Sequence, residues 1–421
     1  MLPPLAWLLA SAPLAAAVVF HGAGQQGRLL ERGAARGTLA ARFPFYHTSE
    51  QLQAEVRRLE RTCGGALSVH VVEDNGTSIE AVRVSRPRAP GSPPPVNRVL
   101  LITGEHSREL IGPEAALHLV RALCGDVALR GGRRAAEALE TSEFQLVLNS
   151  NPWSRAKVEG GQFCERLNPS GVDLNRNWGA RWTSAWTLGS SPGPSPFSEP
   201  ETRLLRRLAE EYKPTAFLSV HSGTRGLYMP WAYARHTSAS ENQQAMLRVL
   251  RAVDEKHCRC PYGAAGQQVG YACPGTSLDW AYANLGAPYS FAFEIWGGRS
   301  QRLRQRWEQS LLHGGASLLQ LGQQLSHPHF SGVFERHPSD FVLPNVTSLG
   351  GGWTLPSGGL GWLSMLHGDA KLMTCFRYFN PDSQEVYDEV VDNWAQAFLD
   401  TAELVAADLK RKGASNPAVP A

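Results

Sequence analysis

Residues 98–110, RVLLITGEHSREL, join an apolar run to a polar end. The run "RVLLITG" (98–104) has the length and aliphatic content of a buried strand, and His106 and Glu109 follow it directly. Such a pair arises often by chance, and the surface of a helix also brings residues i and i+3 together. A functional interpretation therefore needs further polar groups at the ends of other strands, where loops collect chemistry.

Three more apolar runs have the length of strands: "FQLVLNS" (144–150), "TAFLSVH" (215–221) and "YSFAFEIWG" (289–297). Strands that are apolar almost throughout predict a sheet buried on both faces. Between them, residues 112–124 carry apolar residues at helical spacing, and 198–212 begins with a Ser-x-x-Glu capping box and a proline in the first turn. The predicted fold class is α/β. We expect a single globular domain with a central mixed, mostly parallel twisted sheet, covered by helices on both faces.

The chemistry of such a sheet is expected at the carboxyl ends of its strands. His221 ends one apolar run, and Glu294 lies inside another, where a carboxylate is costly to bury without a metal, a partner or water. Together with His106 and Glu109, His221 completes a set of two histidines and one carboxylate. This is the ligand set of a catalytic zinc site whose fourth position is open to water.

Composition excludes some classes of protein. The chain has 421 residues, of which 43% are hydrophobic and 19% charged, as in an ordinary soluble globular protein. Its 41 Lys and Arg against 38 Asp and Glu give a net charge of +3, too small to indicate nucleic acid or an anionic membrane as a partner.

The N-terminal segment predicts export. Residues 2–20, LPPLAWLLASAPLAAAVVF, are apolar and free of charge, which is typical of a secretory signal peptide over residues 1–20 or of an uncleaved N-terminal anchor. No later segment is long and apolar enough to span a bilayer. Acceptor sequons at Asn75 and Asn345 are compatible with export. The seven cysteines fit an oxidising compartment, with up to three disulfides and one thiol left over; their connectivity stays open.

Four motifs, in chain order, resemble the zinc metallocarboxypeptidases of the carboxypeptidase A/B family: "HSRE" (106–109), "GVDLNRNW" (171–178), "SVHSG" (219–223) and "YSFAFE" (289–294). The likeness spans about residues 45–298, with a weaker stretch at 375–400. Within that family the chain looks closest to the plant and algal zinc carboxypeptidase-like branch, judging by the sequences "FSEPET", "VGYACPGTSLDW" and "CFRYFNP".

The resemblance implies one Zn²⁺ per chain. His106, Glu109 and His221 would hold the ion, and Glu294 would act as general base and then as general acid. Asp173 would accept a hydrogen bond from His106 and so fix the tautomer of that ring.

The resemblance also implies a set of residues that contact a peptide substrate. Asn175 and Arg176 would bind its free C-terminal carboxylate, and Arg166 would bind the tetrahedral oxyanion. Arg108 would bind the penultimate peptide carbonyl, and Tyr271 would cap the bound substrate. Leu278 would lie at the bottom of the pocket for the terminal side chain. An apolar residue at this last position predicts apolar or aromatic C-terminal residues. If the register is shifted by one residue, the neighbouring Asp279 would occupy the pocket and basic residues would be preferred.

The predicted function is therefore a secreted zinc carboxypeptidase that acts on the C-termini of peptides or proteins, with a monomer as the default state. Two alternatives stay open: a secreted carboxypeptidase-like binding protein that is inactive or weakly active, and a zinc amidohydrolase of the same fold. The expected domains are the catalytic domain at 45–400, with an insertion at about 299–373, and a C-terminal tail at 401–421. An N-terminal prodomain of the usual size is not expected before residue 45.

Overall fold

The structure is a computed structural model. It describes residues 37–89, 91–92, 95–184, 191–298 and 359–415, and within these ranges it describes only the backbone of 359–368 and 414–415. The predicted signal segment and most of the predicted insertion, residues 299–358, lie outside the described residues.

The strands of the described part of the chain all belong to one sheet. They are β1 (Leu67–Asp74), β2 (Thr77–Val84), β3 (Asn97–Thr103), β4 (Ser142–Val147), β5 (Ala216–His221), β6 (Arg225–Met229), β7 (Tyr262–Ala264) and β8 (Tyr289–Ile295). Their order across the sheet is β1-β2-β4-β3-β5-β8-β6-β7. The four central strands β4, β3, β5 and β8 run parallel, whereas β2 joins β4, and β6 joins β8, in the antiparallel sense.

Helices connect and flank these strands. They are α1 (Leu39–Arg42), α2 (Ser49–Thr62), α3 (Ile111–Leu123), α4 (Pro152–Glu159), α5 (Pro200–Tyr212), α6 (Gln243–Val253), α7 (Ala265–Val269), α8 (Ser277–Ala283), α9 (Gly359–Phe379) and α10 (Gln384–Ser415).

The sheet separates two hydrophobic cores. One core contains Leu101 and Leu218 together with residues of α2, α3, α6 and α10, and the other contains Leu100 and Phe217 together with residues of α5 and α8. Consecutive strand residues contribute to different cores because side chains alternate between the two faces of a strand. The prediction of a mixed sheet covered by helices on both faces is confirmed.

The four apolar runs correspond to β3, β4, β5 and β8, and the predicted helix at 112–124 is α3. The predicted capping box at Ser198 is wrong. Helix α5 has Glu199 as its N-cap residue, without a side-chain cap, and Pro200 lies in its first turn. Ser198 lies one residue too early to cap the helix, and its hydroxyl donates instead to Glu199 Oε1 at 2.6 Å.

The folded part of the chain extends beyond the predicted boundaries of the domain. Before residue 45, Leu39 and Phe43 are buried in the core. At the other end, α10 continues to Ser415, and Val405 is fully buried. The predicted tail at 401–421 is therefore corrected, because residues 401–415 form a helix that packs on the sheet; residues 416–421 lie outside the described residues.

Six of the seven cysteines are paired, as Cys63–Cys124, Cys164–Cys375 and Cys258–Cys260. Cys273 is free and buried. Three disulfides and one remaining thiol agree with the number that the sequence predicted. Within the described ranges, no helix is long and apolar enough to cross a membrane.

Candidate metal centre

The predicted metal ligands come from two neighbouring strand ends. Strand β3 ends at Thr103, and Gly104 follows with a φ of 76°, in the left-handed region that favours glycine. A Cβ atom at Gly104 would also lie only 3.3 Å from the backbone nitrogen of Ser150. This turn leads into His106 and Glu109, while His221 is the last residue of the adjacent strand β5.

The three predicted ligands meet in a buried cluster. Glu109 Oε1 lies 2.8 Å from His106 Nδ1, and Glu109 Oε2 lies 3.1 Å from His221 Nδ1. The two Nδ1 atoms are 3.2 Å apart. A zinc ion about 2.0–2.1 Å from each donor would place tetrahedral ligands roughly 3.3 Å from one another, so this spacing fits a zinc site.

The charges of this cluster support the same interpretation. Burial alone would raise the pKa of Glu109, but the charge of His106 and hydrogen bonds from both histidines lower it. Burial alone would lower the pKa of His221, but hydrogen bonds with Glu105 and Glu109 raise it to about 10. A cation is therefore favoured between these side chains, and a metal ion that binds His221 has to displace a proton.

Asp173 lies on the far side of the His106 ring and is fully buried. Its Oδ1 atom is 3.1 Å from His106 Nε2, and its Oδ2 atom accepts hydrogen bonds from Arg166 Nε and Nη2 at 3.1 and 2.8 Å. Burial alone would raise the pKa of Asp173, but the charge of Arg166 and the contact with His106 hold it well below its usual range. An ionised acceptor at Nε2 leaves Nδ1 of His106 free to bind a metal.

Glu294 on β8 is the register partner of His221 on β5. Its Oε2 atom is shielded from water and has no hydrogen-bond partner in the described part of the chain. Burial, followed by the negative charge of Glu109, raises the pKa of Glu294 to about 7. An unsatisfied carboxylate oxygen beside the three donors is the group that a water molecule activated by a metal would satisfy.

The predicted carboxylate-binding pair is held close to the metal ligands. Arg176 Nη1 donates to the backbone oxygen of Asn175 at 2.7 Å. The side chain of Asn175 accepts from the backbone N–H of Ser277 at 3.0 Å, and its Nδ2 atom lies 3.0 Å from His221 Nε2. Asn175 thus contacts a metal ligand, which the sequence did not predict, and its role toward a substrate stays a prediction.

Arg108 packs against the end of α9. Its guanidinium lies 4.0 Å from the centroid of the Phe379 ring, and its Nη1 atom donates to the backbone oxygen of Cys164 at 3.2 Å. Burial and the neighbouring charge of Arg166 lower the pKa of Arg108 to about 10. The contact with Phe379 connects residues 271 positions apart, and no local sequence pattern indicated it.

Leu278 and Tyr271 are the residues predicted to form the bottom and the cap of the substrate pocket. Leu278 is buried in a small apolar cluster with Tyr228, Ala265 and Cys273, and Ala292 packs against it. Side chains two apart on a strand share a face, so this cluster lies on the face of β8 that carries Glu294. Tyr271, the predicted cap, is 41% exposed.

The side chain of Asp279 is occupied by other contacts. It accepts hydrogen bonds from the backbone N–H groups of Ala232 and Tyr233, each at 2.9 Å. Of the two residues that the sequence left open for the pocket, Leu278 is therefore the one packed in the apolar cluster.

Glu105 has no role predicted from the sequence, although it lies between the apolar run at 98–104 and His106. This side chain is 1% exposed, and its Oε2 atom lies 3.4 Å from His221 Nε2. The sequence did offer one indication that Glu105 belongs to the site: it is an acid next to a predicted histidine ligand, directly after an apolar strand. Its actual partner, His221, comes from another strand and could not be identified from spacing.

Two histidines and a carboxylate, buried at the carboxyl edge of an α/β sheet beside Glu294, form the type of site found in zinc-dependent hydrolases. The family model described as zinc carboxypeptidase, Peptidase_M14, matches residues 59–312. The chain belongs to this family, and zinc is the metal that the family implies.

Among curated proteins, the chain is 26% identical to human carboxypeptidase A6 over 282 residues, which cover 60% of each chain. It is 25% identical to pig carboxypeptidase A1 over 295 residues, covering 64% of this chain and 67% of the relative. The chain thus spans about 60% of the length of carboxypeptidase A6.

Among solved structures, the crystal structure of thrombin activatable fibrinolysis inhibitor matches with a TM-score of 0.52 and 20% identity, over 64% of this chain and 72% of that chain. Carboxypeptidase A from Helicoverpa armigera also matches with a TM-score of 0.52, at 22% identity, over 65% and 72%. These two likenesses confirm the fold.

Proposed function

We propose that the protein is a zinc-dependent carboxypeptidase that hydrolyses the C-terminal peptide bond of peptides or proteins, with one zinc ion held by His106, Glu109 and His221. The observation that carries this proposal is the meeting of these donors with Glu294 and Arg166 at one edge of the sheet. When bound, zinc would polarise the scissile carbonyl and make water more acidic.

The remaining chemistry is assigned to side chains of the protein. Glu294 accepts a proton from the attacking water and passes it to the leaving amine; a carboxylate whose pKa is raised toward 7 is suited to both steps near neutral pH. Arg166, which already lies 3.6 Å from Glu109, stabilises the negative charge that develops on the substrate oxygen. Asp173 holds both His106 and Arg166 in place.

Selection for the end of a peptide follows from the positive charges around the centre. Arg176 binds the free terminal carboxylate, for which its planar guanidinium offers two parallel hydrogen bonds, and Asn175 assists. Arg108 binds the preceding peptide carbonyl, and Tyr271, whose side chain is exposed, covers the bound substrate. An endopeptidase cuts within a chain and would not need Arg176 and Asn175 to bind a terminal carboxylate. An amidated peptide offers only a neutral terminus to these two residues.

The finer predictions are part of the same proposal. We place the chain in the plant and algal zinc carboxypeptidase-like branch and expect a secreted monomer; the three disulfides favour an oxidising compartment. The catalytic domain covers the described residues from 37 to 415, with the insertion between β8 and α9. The preferred C-terminal residues are apolar or aromatic, because Leu278 and not Asp279 packs in the apolar cluster.

Metal analysis combined with a pair of substrates tests the proposal. We expect about one zinc per chain, lost in His221→Ala, and release of phenylalanine from a blocked dipeptide with a free carboxylate but not from its C-terminal amide. Zinc binding without hydrolysis would leave a binding protein, and equal hydrolysis of acid and amide would indicate an amidohydrolase. Either result contradicts the proposed activity.

A further inference from the structure

Glu105 is a buried acid on the side of His221 that faces away from the other metal ligands. Its Oε1 atom accepts a hydrogen bond from Trp178 Nε1 at 2.9 Å. Its Oε2 atom accepts from the hydroxyls of Ser219 at 2.8 Å and of Ser277 at 3.1 Å. Both oxygens are therefore fixed, and the carboxylate cannot rotate without breaking several hydrogen bonds.

The two nitrogens of His221 have different surroundings. Nδ1 faces Glu109 and His106, whereas Nε2 lies 2.7 Å from the hydroxyl of Ser219, 3.0 Å from Asn175 Nδ2 and 3.4 Å from Glu105 Oε2. The amide NH₂ of Asn175 can only donate, so Ser219 and Glu105 are the groups near Nε2 that can accept a proton from it. A histidine that binds a metal through Nδ1 carries its proton on Nε2. The oxygen of Ser219 can accept a hydrogen bond from His221 Nε2–H only if the hydroxyl hydrogen of Ser219 points to another acceptor. Glu105 Oε2 is that acceptor. The three groups form one directed chain, from His221 through Ser219 to Glu105.

We propose that Glu105 is a second positioning carboxylate of the metal centre, which fixes the tautomer and orientation of His221 through Ser219. The inference rests on the proposed zinc site. It assigns to Glu105 and His221 the relation that Asp173 has to His106, with a serine between the two groups. A carboxylate suits this position because it only accepts hydrogen bonds, so it dictates the direction of every bond in the chain.

The charge of Glu105 is directed at His221. Asp173 shares its charge between His106 and Arg166, but within the described residues no lysine or arginine forms an ion pair with Glu105. Its neutral donors are Trp178 and the two serines. The negative charge therefore acts mainly on the imidazole of His221, where it increases the basicity of the nitrogen that would bind the metal.

The experiment measures zinc affinity by competition with a chromogenic chelator, using the full chain, and follows thermal unfolding of the metal-stripped protein. We expect Glu105→Gln to weaken zinc binding by about 10-fold to 100-fold, as the loss of a hydrogen-bonding partner of a metal ligand does. Ser219→Ala should weaken it in the same direction, because the chain is broken between its ends.

Glu114→Gln is the matched control. Glu114 is also 1% exposed, and it accepts hydrogen bonds from the backbone N–H of His47 and from the hydroxyl of Tyr387, away from the three donors. This variant should unfold at a lower temperature and keep the zinc affinity of the wild type. If the role of Glu105 were purely structural, Glu105→Gln would likewise unfold at a lower temperature and keep the zinc affinity of the wild type.

The outcomes separate the inference from the proposed function. If the wild-type chain binds zinc and Glu105→Gln binds it equally well, the role of Glu105 is refuted while the zinc site stands. If Glu105→Gln does not fold, Ser219→Ala decides alone, and an unchanged affinity in that variant refutes the inference. A wild-type chain that binds no zinc would refute the proposed function itself.

Discussion

The choice of the C-terminal residue can be tested at Leu278, the predicted bottom of the substrate pocket. This side chain is 2% exposed and packs with Tyr228 and Cys273. An arginine side chain that reached this cluster would lose water from its guanidinium, and the neighbouring acid Asp279 already has its carboxylate held by two backbone N–H groups. If the protein is a carboxypeptidase as proposed, we therefore expect it to release phenylalanine and to reject arginine.

The size of the preference follows from the cost of burying an unpaired charge. That cost is several kcal/mol, reduced where water or a flexible side chain keeps the charge partly solvated. Taking about 3 kcal/mol, and about 1.4 kcal/mol for each factor of ten, the ratio of kcat/KM for phenylalanine over arginine is on the order of 100. In Leu278→Asp the new carboxylate would pair with arginine, and the ratio should fall below one.

The assay compares two blocked dipeptides that differ only in a terminal Phe or Arg. Asp279→Asn is the control: it should lower stability by about 1–3 kcal/mol, because its NH₂ group is no substitute for the lost acceptor oxygen, yet it should keep the preference for phenylalanine. If the wild type releases arginine faster, and Asp279→Asn abolishes that activity, then Asp279 and not Leu278 faces the substrate. The reasoning from the apolar cluster would then be wrong.

Two further predictions concern the metal centre. Glu294→Gln should lower kcat by about 10²-fold to 10⁴-fold with zinc content unchanged, because Glu294 is the proposed proton carrier and not one of the three metal donors. Single-turnover kinetics combined with metal analysis tests this expectation. Full turnover in the variant would contradict the mechanism. The affinity for zinc should decrease as the pH is lowered. Since the pKa of His221 is raised to about 10, zinc must displace its proton below that pH, which weakens binding by about tenfold per pH unit. Chelator competition at pH 6, 7 and 8 measures this slope, and a flat profile would show that no such proton is displaced.

The central strands could be predicted because they are buried on both faces. An almost unbroken run of apolar residues, as in β3 and β5, leaves little ambiguity between strand and surface loop. The outer strands gave a weaker signal. In β1, four of the eight residues are exposed and Glu73 and Asp74 end the strand, so its sequence alone does not mark it as part of a sheet.

The residue types of the candidate site could also be predicted, but their contacts could not. His106 and Glu109 are three positions apart, so a local pattern suffices to associate them. Glu105 and His221 are 116 positions apart, and only the neighbouring positions of β3 and β5 in the sheet bring them together. The same holds for the stacking of Arg108 on Phe379, which depends on how α9 packs beside the site.

The geometry of the site depends finally on the register between β5 and β8. His221 lies opposite Glu294 in this parallel pair, and a shift by one residue would turn Glu294 to the other face of the sheet. Phe293 opposes such a shift, because it is fully buried and its ring centroid lies 6.1 Å from that of Trp394 and 6.4 Å from that of Phe398 on α10. A helix on the opposite face of the sheet therefore helps to hold the proposed base beside the proposed metal ligand. The register also depends on the contacts between the strands themselves. Loss of one aromatic side chain on α10 should therefore first lower the stability of the fold, and should change the geometry of the site only as a consequence of that lower stability.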